Sequence, residues 1–164
     1  MMDKAQRLLL EKKRKDLQEA SLKRSKVDLL SDLIKILDAK YIKYNINFYS
    51  DVWNWICDNF PVAEWGKINW DFVEHKNKLA WTEPDKIPEL FEKFVSKYNL
   101  TDDMVTIIWS NSERPAIDMS LDDAKMVIQD IFDEDWDTWM VPKERKWCIE
   151  CHHTGSLTIG IVDK

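Results

Sequence analysis

The sequence predicts an α/β protein of the α+β kind, in one domain spanning 1–164, with N-terminal helices and a C-terminal antiparallel β-meander packed against helices. Three observations lead there. Residues 3–40 contain no Gly or Pro and are dominated by Leu, Lys, Arg, Glu, Ala and Gln, all good helix formers. Residues 136–162 fall into short strand-like runs separated by turn residues, the pattern of a hairpin series. No repeat, low-complexity tract or Ser/Gly/Pro-rich linker divides the 164 residues, a length usual for a single core.

Taken in order, the long basic helix at about 3–40 carries its clearer stripe in its second half. Leu22, Leu29, Leu30, Leu33, Ile34 and Leu37 follow the spacing of one buried helical face, and Ser21 and Ser25 mark a break. From Tyr41 to Tyr49 the period changes to two, with Ile42, Tyr44, Ile46 and Phe48 on one side, as in a half-buried strand or an irregular extended segment. Ser50 or Asp51 caps a helix over Val52–Asn59, which Pro61 stops because the residue before a proline avoids helical geometry. The stretch Val62–Glu83 mixes Trp65, Ile68, Trp70 and Phe72 with Gly66 and fits a short strand or an aromatic-pinned loop. Pro88 suits the start of a helix reaching Tyr98. Met104–Ser110 is a β-branched and aromatic run that reads as a buried strand, with Ile117–Met119 to pair with it. Ser120 with Asp123 resembles a capping box opening a helix that ends near Asp133. The meander then runs Trp136–Val141, Lys146–Cys151 and Leu157–Val162.

Charge divides the chain. Met1–Lys26 holds nine Lys/Arg against four Asp/Glu, net +5, which leaves −11 for the rest of a chain at −6. An acidic body repels nucleic acid and attracts basic proteins, so direct DNA or RNA binding is not expected. The nine tryptophans favour a thick core or an aromatic contact surface. No run approaches the roughly 20 apolar residues of a membrane span, and residues 1–26 lack the features of a signal peptide. Three cysteines, an odd number in a chain of this size, read as reduced thiols, and a cytoplasmic location follows as the expectation.

The motif that most suggests chemistry is Cys148-Ile149-Glu150-Cys151-His152-His153, because C-x-x-C-H is the haem-attachment pattern and C-x-x-C half a zinc site. Haem attachment needs export, and a structural zinc site would have to draw on Cys57 and His75. On a strand, residues three apart face opposite ways, so ordinary strand residues are the preferred reading and no metal or cofactor is expected. Phosphate-cradling and nucleophile-elbow motifs are absent, and only three glycines are present. Cys57 with His75, or Cys151 with His153, could form a nucleophile pair, but any chain with three of each offers such pairs. Asp102–Asp103 and Asp122–Asp123 sit where helix or turn starts favour acids, so catalysis is not expected.

Asp130, Asp133, Glu134, Asp135 and Asp137 place five carboxylates in eight residues around Trp136, with no basic residue among them. A solvated helix end accounts for such a run. A helix C-terminus disfavours acids, however, and the mismatch points to a basic partner supplying the counter-charge; these six residues are the candidate partner-binding site. Lys4, Arg7 and Lys12–Lys15 allow phosphate, membrane or acidic-partner contacts, with a solvated helix preferred.

The stretches Asp135-Trp136-Asp137-Thr138-Trp139, Trp147-Cys148-Ile149-Glu150 and His152-His153-Thr154-Gly155-Ser156-Leu157-Thr158-Ile159-Gly160 together resemble immunity proteins of bacterial polymorphic toxin systems, notably contact-dependent growth inhibition. The resemblance covers about the last 60 residues, in a W-x-I-E-x-x-H-x-G-x-L-x-x-G rhythm. It implies a cytoplasmic, non-enzymatic protein that binds and neutralises a cognate toxin domain, commonly a nuclease, by covering its active-site or substrate-binding face. A basic groove on such a toxin would match the acidic body. The alternative is a structural or adaptor module whose main contact is the long N-terminal helix.

Overall fold

In the computed structural model, residues 4–101 and 104–162 are described. The helix start at Asp3 and the acid pair Asp102–Asp103 lie outside them.

The N-terminal helical region divides into α1 (Lys4–Asp28) and α2 (Ser31–Ala39). The break falls at Leu29–Leu30, where Leu30 takes φ −110° and ψ 12°, and not at the serines. Ser25 Oγ donates to the Ser21 carbonyl at 3.1 Å, the local bond by which a serine satisfies itself inside a helix. This corrects the expected stripe. Leu30, Leu33 and Leu37 are buried, whereas Leu22 and Leu29 are exposed because the break separates them from the face that packs. No residue of α1 is buried.

Seven strands form one antiparallel sheet in the order β1-β4-β3-β5-β6-β7-β2. The strands are β1 (Tyr44–Asn47), β2 (Lys76–Ala80), β3 (Met104–Trp109), β4 (Ala116–Ser120), β5 (Asp137–Pro142), β6 (Trp147–His152) and β7 (Ser156–Ile161). The C-terminal meander β5–β6–β7 holds the middle, with Met140 opposite Ile149 and Ile149 opposite Ile159. β1 is shorter than the alternation of Tyr41–Tyr49 suggested, since Tyr41 sits at φ 56°. The segment Val62–Glu83 supplies an edge strand, β2, and a 3-10 turn at Trp70–Phe72 where the sequence suggested a strand or loop.

Period-two alternation sends side chains to two sides of the sheet, and both sides are covered. On one side Ile107, Met140, Ile149 and Ile159 pack against α2, α4 (Ile87–Lys97), α5 (Leu121–Met126) and α6 (Ile128–Asp133), through Leu33, Phe91, Phe94 and Ile131. On the other, Trp139, Val141 and Cys148 meet Val52 and Ile56 of α3 (Val52–Asn59), with Phe60, Ile68 and Trp70. Each fully buried large side chain contributes about 1.5–3 kcal/mol from apolar burial. Gly160 is required at that second interface. A Cβ there would stand 2.6 Å from the Trp70 ring and 2.7 Å from Phe60.

The Ser120 cap forms as expected, its Oγ accepting from the Asp123 N–H at 3.0 Å. The helix it opens is split at Val127, with φ −129° and ψ 23°, into α5 and α6. That split turns Ile128, Ile131 and Phe132 onto the sheet and delivers the chain to the acidic segment.

Candidate functional site

The candidate site is the edge where α6 ends and β5 begins. Asp130 lies 3.6 Å from the Lys40 ammonium, and Asp133 accepts from Gln129 at 2.8 Å on an exposed turn. Glu134 and Asp135 turn inward onto Arg114, which reaches out of the β3–β4 turn to pair with Glu134, stands 3.8 Å from Asp135, and donates to the Leu29 carbonyl at 2.5 Å. Asp135 also accepts from the Asn111 N–H at 2.7 Å and from Ser110 Oγ at 3.0 Å. Asp137 Oδ1 accepts from the His153 N–H at 3.0 Å and lies 2.8 Å from its Nδ1. The carboxylates expected to stand without counter-charge are thus matched mainly from within the chain. Asp133 is exposed and Asp130 half-buried beside Lys40, while burial raises the Glu134 carboxyl above its usual range against the pull of Arg114.

Trp136 behaves differently from the acids around it. Its side chain is 71% exposed, although its backbone N–H is held by Asp135 Oδ1 at 2.9 Å and its ring rests 5.0 Å from the His153 ring. His153 in turn lines a cleft of about 730 Å³ together with Trp139, Ile108, His152 and Trp65. Trp65 is 79% exposed.

Beneath the cleft lies a buried carboxylate. Glu150 accepts from Trp70 Nε1 at 2.6 Å and from Trp139 Nε1 at 2.8 Å. Its carboxyl is pushed up by burial, with the two indole bonds opposing. The pair of bonds fastens the Trp70 segment to the sheet. Most of the W-x-I-E-x-x-H-x-G-x-L-x-x-G residues are therefore scaffold: Trp147, Ile149 and Leu157 in the larger core, Glu150 in the clamp, Gly155 at φ 97° in the β6–β7 turn, and Gly160 under Trp70.

The C-x-x-C residues separate as strand geometry requires. Cys148 belongs to the smaller core and Cys151 to the larger one, on the other side of the sheet. Burial pushes the Cys148 thiol well up and that of Cys151 to about 12, so neither is a ready thiolate at neutral pH. The reading of the sequence did not bring together Asp137, His152 and His153. One ligand atom from each lies within 4.8 Å of the others, because Asp137 pairs with His152 across β5 and β6. Burial pushes the His152 imidazole down, partly offset by Asp137.

The edge is acidic, carries an exposed tryptophan and stands beside an open cleft. Residues 24–160 match the family described as CdiI immunity protein EcoliA0-like. The chain belongs to that family, and as an immunity protein it binds and neutralises a cognate toxin domain. The match extends far beyond the last 60 residues and opens near the end of α1, so most of that helix precedes it. No curated protein matches the chain. Among the described residues, no helix is long and apolar enough to cross a membrane.

Proposed function

We propose that the protein is a non-enzymatic inhibitor in the cytoplasm that covers the active-site or substrate-binding face of a basic, nuclease-type toxin domain, using the edge Asp130, Asp133, Glu134, Asp135, Trp136 and Asp137. The observation that carries this is Trp136, exposed on a segment whose backbone and flanking acids are fixed by Arg114, Ser110 and Asn111. A rigid exposed aromatic loses little entropy on binding and is the commonest kind of interface anchor. Asp130 and Asp133 supply the outward charge, with a body at −11 beyond residue 26 to steer a basic partner. The inward acids hold the shape. Co-expression of the Trp136→Ala/Asp133→Lys variant with the toxin domain from the adjacent upstream reading frame tests this. Growth arrest by a folded variant supports the reading, and full protection contradicts it.

A contact through α1 is the second reading, favoured by its lack of any buried residue and by exposed Leu8, Leu9, Leu10 and Leu17. Deletion of residues 1–23 separates the two. Protection retained assigns the contact to the body, whereas protection lost, or a homo-oligomer dispersed in sedimentation, assigns a role to the helix.

A further inference from the structure

Asp137 lies on the proposed toxin-contact edge, but the cluster it forms with His152 and His153 is not used by that reading. We infer that Asp137 Oδ1, His152 Nε2 and His153 Nδ1 form a binding site for a divalent transition ion of the zinc class, with its remaining coordination positions open to the cleft.

The donor set comes first. Two imidazoles and one carboxylate, with no thiolate, form the combination that holds zinc and related ions when one or more positions stay open. The spacing follows from the sheet. Asp137 and His152 are cross-strand partners, and His153 is the residue after His152, at the start of the β6–β7 turn, where the chain leaves the pleat and a neighbouring side chain can reach the same side. Oδ1 of Asp137 is 2.8 Å from His153 Nδ1 and 3.7 Å from His152 Nε2. With ligand bonds of roughly 2.1 Å, these separations correspond to angles of about 84° and about 124° at the ion, on either side of the tetrahedral value. One ligand atom of each residue lies within 4.8 Å of the others, and the half-exposed His153 ring closes on the ion as coordination replaces its hydrogen bond to Asp137.

The surroundings orient the ligands as metal sites require. Thr154 Oγ1 lies 2.7 Å from His152 Nδ1 and accepts from it when that nitrogen carries the proton, leaving Nε2 with its lone pair on the Asp137 side. The Thr154 N–H approaches the same nitrogen at 3.3 Å, an arrangement suited to the other tautomer, and an ion on Nε2 selects the first. His152 is buried and neutral imidazole is the form that ligates. At His153, coordination through Nδ1 replaces the hydrogen bond to Asp137, and the proton moves through solvent to Nε2. The three residues line the 730 Å³ cleft, so water completes the coordination from that side. This site owes nothing to Cys148 and Cys151, which lie on opposite sides of the sheet.

Zinc titration of the full chain against a chromophoric chelator, with cobalt absorption as a second readout, tests the assignment. The expected result is one Zn²⁺ per chain and a visible cobalt band without thiolate charge transfer. His153→Ala and Asp137→Asn should each weaken binding at least about 100-fold, the upper end of what losing an outer-shell partner costs, and Thr154→Val by about 10-fold. His153 is 41% exposed at its side chain, so His153→Ala keeps the fold, checked by an unchanged metal-free melting curve. Cys57→Ser, which removes the exposed thiol, should leave binding unchanged. Absence of stoichiometric binding to the parent chain, binding that survives His153→Ala, or binding lost with Cys57→Ser overturns the proposal.

Discussion

Arg114 and Glu134 form an ion pair between the β3–β4 turn and the end of α6, with both side chains largely shielded from solvent. The counter-charge for Glu134 therefore comes from a residue 20 positions earlier in the chain. Glu134 and Asp135 hold the edge in place, and under the proposed function recognition falls to its exposed residues.

Arg114→Met removes that counter-charge while keeping much of the side-chain volume. Breaking a largely buried pair by deleting one partner typically costs 3–5 kcal/mol; with some solvent still reaching this one, a loss of about 2–4 kcal/mol is expected. Urea denaturation should show it, and Glu134→Gln in the Arg114→Met background should recover part of the loss. An unchanged urea midpoint for Arg114→Met would contradict the pairing.

Glu150 gives a pH signature. Burial raises its carboxyl above the ordinary 4.5 in the folded state. The folded protein thus favours the protonated form more than the unfolded chain does, and the stabilisation this brings is complete below about 4.5 and lost as pH rises through the folded value. Glu150→Gln should flatten that dependence between mildly acidic and neutral pH. It should also weaken the Trp70 clamp, because an amide has one acceptor oxygen for two indole donors. Denaturation midpoints of both proteins across that range check the sign, and parallel pH curves would contradict it.

Gly160→Ala places a methyl group against Trp70 and Phe60 at less than contact distance. Overpacking of this kind costs typically 1–3 kcal/mol. A lowered melting temperature, with a shift in tryptophan fluorescence as the Trp70 ring is displaced, is the expected result.

Cys57 is exposed while Cys148 and Cys151 are buried. A thiol reagent should therefore modify one cysteine rapidly in the native protein and all three after unfolding. Rapid native modification of a Cys57→Ser variant would place a second thiol at the surface, contrary to the structure.

The meander was legible because each of its strands is bounded by turn residues, and the Ser120 cap because its partner is three residues away. β2 was not legible. Lys76, Asn77 and Lys78 give it a polar character suited to a sheet edge and no core pattern to recognise. The breaks at Leu30 and Val127 carry no Gly or Pro, so tertiary packing sets them where composition favours continuous helix. At the candidate site, the acidic segment and exposed Trp136 were visible as residues. Their compensation was not, since Arg114 and Lys40 reach it only through the sheet topology. The approach of Asp137 to His152 likewise depends on the β5–β6 register.

Under the proposed function, Trp136 forms the toxin contact together with Asp130 and Asp133. The most direct measurement is the binding kinetics of the purified protein with its toxin domain, at low and high salt, for Trp136→Ala and for Asp130→Lys/Asp133→Lys. Trp136→Ala should dissociate faster, with an affinity loss of at least about 2 kcal/mol, or roughly 30-fold. The charge-reversed variant should associate more slowly, with a weaker salt dependence. Unchanged affinity for Trp136→Ala together with an unchanged association rate for the charge reversal would contradict the proposed contact and place it elsewhere on the molecule.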